Sequence, residues 1–288
     1  MSNSNNKIAI VYRIYPKISK VPAVYPDDKL KMSELCLSSF ARALENIDYK
    51  IWIILDNCPA EYHAIFLKHL DNDRIELFDT PAIGNPGTFG LQMEILMNQD
   101  FSDNIYFAED DYFYQPNAFK QMLEFANSEY QPEFITPYDH LDYYKLDLHR
   151  YPKADIQFAD AQSWRSESTT CMTFFTTKSV LKDSFSVFDT YTRKNYDASL
   201  WLALTKKKIF NPMIYPKYLF TDFQMFKVLA KAWLYTPLKL LFGKTYKLYS
   251  PQPSLATHLD NQFLAPGIDW DSLFEQEKKV LCFEQKKC

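Results

Sequence analysis

The sequence predicts an α/β fold, a mostly parallel central sheet flanked by helices, on three observations. Continuous apolar runs alternate with amphipathic 3.6-period stretches through the first eighty residues, which is the pattern of strands joined by crossover helices. Two apolar runs end in acids: residues 50–56 close on Asp56, and Ile105 to Ala108 runs into Glu109, Asp110 and Asp111. Pro116 then opens a further pattern with Phe119, Met122, Leu123 and Ala126 on one face, so the triplet sits between a buried strand and a helix. In open α/β sheets the carboxyl edge of the strands is where ligands bind.

In order along the chain, residues 7–13 read as a first buried strand, followed by a long loop with Pro16, Pro22 and Pro26. A helix is expected from Ser33, with Leu37, Phe40, Ala41 and Leu44 at i, i+3, i+4 and i+7. Residues 50–56 form a second strand, 60–70 a helix and 75–78 a third strand. The Gly84, Gly87 and Gly90 segment matches neither a P-loop nor a dinucleotide fingerprint. It reads as a loop running into a helix of Leu91, Glu94, Ile95 and Asn98. Beyond the acids, 133–137 is a short strand, 138–153 is polar, aromatic and irregular, and 168–177 is rich in β-formers and predicts a strand. Helices are expected at 180–188 and 197–208, the latter with Leu200, Trp201 and Leu204 inward. Residues 216–247 form an apolar segment punctuated by lysines, 248–258 reads as extended, and a tail follows with Pro266 and Trp270.

Composition narrows the function classes. A chain of 288 residues can bury a sizeable core, and no internal repeat or clean linker divides it, so one domain is expected. Lys and Arg total 32 against 36 Asp and Glu, and a net charge of −4 supplies no general basic field for nucleic acid. Five scattered cysteines without a CxxC pair predict neither a zinc site nor a disulfide framework, and favour a reducing compartment. The polar residues 1–7 lead into an apolar run too short for a signal peptide, and no stretch has transmembrane length. Cys288 is terminal rather than fourth from the end, so it makes no prenylation box. The expectation is a cytoplasmic protein, soluble or peripherally attached to the inner face of the membrane.

Three adjacent carboxylates repel one another and resist burial unless cations or protons offset the charge. In an extended segment Glu109 and Asp111 would point one way and Asp110 the other. One face could then coordinate Mn²⁺ or Mg²⁺, which take oxygen ligands and complete their shells with phosphate and water. The plainer alternative is a solvated acidic loop. Asp197, at the start of its helix, reads as a general base or an N-cap, two roles that are compatible because a helix N-terminus also holds a carboxylate ionised. His258 is either a metal ligand or a structural histidine. Trp164 and Arg165 offer a stacking surface and an anion-binding fork, or an ordinary surface loop. Residues 223–247 set Lys227, Lys231, Lys239, Lys244 and Lys247 among aromatic and aliphatic side chains. Such a segment can lie on an anionic bilayer, or pack on the core with its lysines snorkelling outward.

A strand, a helix, a strand ending in Asp56, a Gly/Asn segment with a helix, and a strand ending in Glu109-Asp110-Asp111 together resemble the GT-A-fold glycosyltransferases. The likeness is to the family-2 type and to the N-acetylglucosaminyltransferases whose metal motif reads Glu-Asp-Asp. It covers residues 7–208, with His258 as a distal element. The resemblance implies a GT-A-like domain with a nucleotide-binding half over 7–130, an acceptor-side half over 131–215 and a C-terminal appendage over 216–288. It implies that Asp111 binds the metal bridging a nucleotide-sugar diphosphate, with Asp110 and Glu109 near the ribose and donor sugar. Glu-Asp-Asp departs from the plain Asp-X-Asp of many family-2 members, which leaves the ligand among the three open. Asp56 matches the acid that contacts base or ribose, and Arg13 lies where donor contacts begin. Asp197 corresponds to the inverting base, and His258 to a metal or pyrophosphate contact.

The function so implied is metal-dependent transfer of a hexosyl or N-acetylhexosaminyl group from a UDP-sugar to a glycan or lipid-linked hydroxyl. The rivals are a nucleotidyltransferase of sugar phosphates and a non-catalytic carbohydrate- or partner-binding module. A nucleotidyltransferase usually wants a Gly-rich loop after the first strand, and the loop after Arg13 has no glycine.

Overall fold

The computed structural model describes residues 6–18, 20–158 and 162–285. Residues 1–5 and Cys288, on which the leader and prenylation expectations bear, lie outside them. The elements run β1 (Lys7–Ile14), α1 (Lys29–Ala43), β2 (Asp48–Asp56), α2 (Glu61–His69), β3 (Ile75–Thr80) and α3 (Gly84–Asn98). Next come β4 (Asn104–Glu109), β5 (Tyr112–Tyr114), α4 (Ala118–Ala126), β6 (Phe134–Ile135), α5 (Asp142–Lys145), β7 (Asp155–Phe158), β8 (Gln162–Glu167) and β9 (Phe174–Thr177). The chain continues through α6 (Lys178–Thr192), α7 (Asp197–Thr205), α8 (Ile214–Thr221), α9 (Phe223–Tyr235), α10 (Pro237–Phe242), β10 (Leu248–Gln252), β11 (Ala256–His258) and α11 (Trp270–Gln285).

Among the described residues the main sheet has nine strands in the order β3-β2-β1-β4-β9-β6-β10-β8-β7. β8 and β9 run against the rest, so the sheet is mostly parallel, as the alternation of strands and helices requires. Side chains alternate across the pleat, and β1 divides accordingly. Ile8, Ile10, Tyr12 and Ile14 enter one core with α1, α2, α4 and α11. Ala9 and Val11 enter a second core with α3, α6, α7 and α9. The result is three layers, helices on both faces of one sheet. No described helix is long and apolar enough to cross a membrane.

Several expected boundaries move. The first helix starts at Lys29 rather than Ser33, because Asp28 caps it by accepting from the Lys31 N–H at 3.0 Å. Gly84 and Asn85 are the first turn of α3, not a loop before it. Residues 168–177 are not one strand, since only Phe174–Thr177 pairs, while Trp164 and Arg165 lie upstream in β8. The lysine-punctuated segment is three helices, restarted by the Asp222 cap, which accepts from the Met225 N–H at 3.0 Å, and by Pro237.

The C-terminal appendage expected over 216–288 is knit into the body. β10 inserts between β6 and β8, and β11 pairs with β5. The tail after Pro266, for which the sequence pattern predicted no element, forms α11. There Glu277 is buried against α1, accepting from Ser38 Oγ at 2.5 Å and pairing with Arg42.

The second core centres on Trp201, fully buried and edge-on to Phe134, Phe174 and Phe188 at centroid distances of 5.2, 5.0 and 5.4 Å. Its indole N–H meets no acceptor among the described residues. Trp201→Ala should therefore lose about 3–5 kcal/mol in urea unfolding through the cavity it leaves. Trp201→Phe should lose far less, since it also removes an unsatisfied buried donor. Similar unfolding midpoints for the two variants would contradict this packing.

Candidate active site

The carboxyl ends of β1, β2 and β4 open onto a cleft of ≈ 410 Å³, a volume suited to a small-molecule ligand. Arg13, Lys29, Asp56, Asn85, Thr88 and the acidic triplet line it. The register Arg13↔Glu109 between β1 and β4 brings the first cation to the first acid.

Each acid meets a different cation. Glu109 accepts from Arg13 at 2.5 Å and from Thr173 Oγ1 at 2.9 Å. Asp110 pairs with Lys29 at 2.7 Å. Asp111 Oδ2 pairs with His258 Nε2 at 2.9 Å. The protein's own cations thus supply most of the charge compensation that three neighbouring carboxylates require. Alternation along a strand does not describe the triplet, because β4 ends at Glu109 and the chain turns through Asp110 and Asp111.

The electrostatics separate the three. Burial pushes the Asp110 carboxyl up, and the neighbouring Asp111 charge adds to that against the pull of Lys29. For Asp111 burial also pushes upward, but His258, Lys29 and Arg13 outweigh it and hold the group below its usual range. Burial would lower His258, and Asp111 reverses that, so its imidazolium is favoured. Asp111 Oδ1 is buried and has no hydrogen-bond partner among the described residues. A buried carboxylate oxygen left without a partner is costly unless something occupies it.

That oxygen is the test of the metal expectation. Among the described residues no three His, Cys, Asp or Glu gather into a closed metal site. Asp111 offers one open carboxylate oxygen, which suits a Mn²⁺ or Mg²⁺ position completed by phosphate oxygens and water, whereas His258 Nε2 faces Asp111 Oδ2 and could ligate only as a neutral imidazole that gives up that contact. The open carboxylate oxygen fits such an ion, with Asp111 as the group that would hold it and His258 as a second ligand only after losing its proton.

The other expected residues divide. Arg13 is buried and clamps the site, donating to Asn85 O at 3.0 Å and Thr88 Oγ1 at 3.2 Å as well as to Glu109. Asp56 lines the cleft, but its carboxylate accepts from Thr80 Oγ1, the Ile83 N–H and the Gly84 N–H at 2.8, 2.7 and 2.8 Å. It organises the start of α3, where Gly84 takes φ +71°, a conformation glycine adopts without strain. Asp197 does not line this cleft. It is the first residue of α7 rather than its cap, which is Tyr196, and it accepts from the Ala198 N–H at 2.6 Å. Burial chiefly raises its carboxyl, and the nearby Glu109 charge adds to the shift, so the two acids share one electrostatic neighbourhood.

Trp164 and Arg165 are corrections. Trp164 is fully buried and lies flat on Phe125 at 4.4 Å, so no face remains for a base. Arg165 is spent on Asp139 and Glu167 at 2.8 and 2.6 Å, in a strand four places from β4 in the sheet. Its anion fork is already filled.

Sequence reasoning missed Lys29, and a signal for it existed. A cation in the first turn of a helix opposes the macrodipole, so the lysine directly after the Asp28 cap calls for a compensating acid. Asp110 is that acid, and with Asp111 it raises the ammonium above the value that burial would set. Thr88 and Thr173 carried no comparable signal.

No protein-family model matches the chain, and neither does any curated protein. Solved structures share its outline at low identity. Among them is galactosyltransferase LgtC in complex with donor and acceptor sugar analogs, 12% identical over 87% of this chain and 86% of that one, with a TM-score of 0.42. Another is S. aureus TarS 1–349 in complex with UDP-GlcNAc, 12% identical over 62% of this chain and 48% of that one, TM-score 0.42. A third is CMP:2-keto-3-deoxy-manno-octonic acid synthetase complexed with CTP, 9% identical over 70% of this chain and 87% of that one, TM-score 0.40. At these scores the likenesses carry no argument about activity.

Proposed function

We propose that the chain is a GT-A-type glycosyltransferase that moves a sugar from a nucleoside-diphosphate sugar, UDP by preference, to a hydroxyl of a glycan or lipid-linked acceptor. The observation that carries the reading is Asp111 at the carboxyl edge of the sheet, paired with His258 through one oxygen and, among the described residues, unpartnered at the other. A site with an ionised carboxylate, an imidazole and the cations Arg13 and Lys29 is suited to a diphosphate.

In the reaction the anomeric C1–O bond to the diphosphate breaks and a bond from the acceptor oxygen to C1 forms. A divalent cation held by Asp111, with His258 joining only as the neutral imidazole, would offset the negative charge that grows on the departing diphosphate. Lys29 and Arg13 add positive charge along the same wall of the cleft. Asp197 takes the acceptor proton, and attack from the face opposite the leaving group inverts the anomeric centre. Two features support Asp197 in that role: a carboxyl raised by burial, and the shared neighbourhood with Glu109.

Thermal unfolding with UDP, UDP-sugars and CTP, each with and without Mn²⁺, tests the reading. Binding to the folded state raises the midpoint by linkage, and the largest rise is expected for a UDP-sugar with Mn²⁺. Turnover should release a nucleoside diphosphate. Release of pyrophosphate from a nucleoside triphosphate would identify a nucleotidyltransferase instead. No metal-dependent nucleotide shift at all would leave a binding module.

A further inference from the structure

Among the described residues, the five most exposed large apolar side chains all fall within residues 213–242: Phe220 at 85%, Phe242 at 82%, Leu234 at 75%, Met213 at 74% and Leu238 at 71%. They belong to one structural unit, or in the case of Met213 precede it by one residue. α9 turns Val228, Leu229 and Ala232 into the second core and leaves Phe223, Lys227 and Leu234 outside. α10 repeats the division, with Leu240 inward and Leu238, Leu241 and Phe242 outward. Folding has thus used one face of these helices and left a second apolar face open. Exposed apolar surface of this density marks an interaction site.

Charge identifies the occupant. Residues 206–247 hold nine lysines and the single acid Asp222; Lys208 and Lys217 pair with Asp147 and Lys244 with Glu133, which leaves six lysines against one acid in a chain of net charge −4. Lys227, Lys231 and Lys239 pair with no carboxylate among the described residues. Lys227 lies over the Phe223 ring, while Lys231 and Lys239 donate to the backbone oxygens of Lys194 and Asp183. A second copy of the chain on this face would set one positive surface against another. Apolar tips beside lysines that no carboxylate neutralises instead match the boundary between acyl chains and anionic headgroups, with long lysine stems reaching to the charged layer. The longest of the three helices, α9, has 13 residues, which suits lying on a bilayer rather than crossing it.

We propose that the face formed by α8, α9 and α10 docks the protein onto an anionic lipid bilayer. This goes beyond the sugar-transfer reading and needs neither donor nor metal, so the two fail separately. The surface is wider than the 223–247 stretch singled out by sequence, because Met213 and Phe220 extend it upstream.

The test is co-sedimentation of the full chain with vesicles of phosphatidylcholine, with or without phosphatidylglycerol. Sedimentation is expected only with phosphatidylglycerol and should weaken as salt rises. The double variants F220S/F242S and K227E/K239E should each lose roughly tenfold or more in vesicle binding. Their circular dichroism and unfolding midpoints should match the parent, because the altered side chains are solvent-exposed. Equal sedimentation with neutral vesicles would overturn the proposal, as would parent-like binding by F220S/F242S. So would self-association of the parent in light scattering that F220S/F242S abolishes, since that would make a second copy the occupant.

Discussion

Replacing Asp111 by Asn should reduce sugar transfer by roughly 10²–10³-fold or more, the scale set by losing a preorganised electrostatic contact to the leaving group. The same variant should lose the Mn²⁺-dependent rise in midpoint with UDP. Asn keeps the shape but gives up the charge that His258, Lys29 and Arg13 stabilise, so the ligand-free protein should unfold below the parent midpoint while remaining folded. His258→Ala should weaken the Mn²⁺ response less, because it leaves the charged ligand in place. Asp110→Asn should disturb Lys29 rather than the metal response. Unaltered turnover in Asp111→Asn would remove the site from the cleft assigned here.

Asp197→Asn is the second large effect. A general base contributes about 10²–10⁴-fold, and that loss should fall on kcat while donor affinity holds, because Asp197 does not line the donor cleft. The pH profile supplies an independent readout. Burial, with the Glu109 charge, raises this carboxyl above its ordinary value. The base form is the carboxylate, so parent activity should rise as pH increases through that raised value, and the limb should vanish in Asp197→Asn. A parallel loss of kcat and donor affinity would instead mark Asp197 as a support for the start of α7.

Much of the sheet was legible because strands report themselves locally. An apolar run such as 50–56 or 105–108 must be buried, and its length and flanks set its class. The cleft's location was legible for the same reason, since two of those runs end in acids. Other features were not local. Trp164 looked like a stacking surface because an aromatic residue beside an arginine reads the same whether it faces ligand or core. Only the pairing of β8 with β10, and the Phe125 ring beneath it, sends it inward. The Gly84 turn looked like a loop because its stabilising acceptor, Asp56, lies 28 residues upstream.

The sequence by itself determined the α/β class, the carboxylate-bearing edge and the residues placed along it. The tertiary structure alone decided which acid is left with an open oxygen. Asp111 meets His258 across 147 residues because β11 pairs with β5, setting His258 against Tyr112 and the Leu259 N–H on Asp111 O at 2.9 Å. Glu109 is taken by Arg13 through strand register, and Asp110 by Lys29 through the first turn of α1. Hydrophobic period is a property of neighbouring residues, whereas ion pairing between distant segments depends on register, and register is settled only when the whole sheet closes.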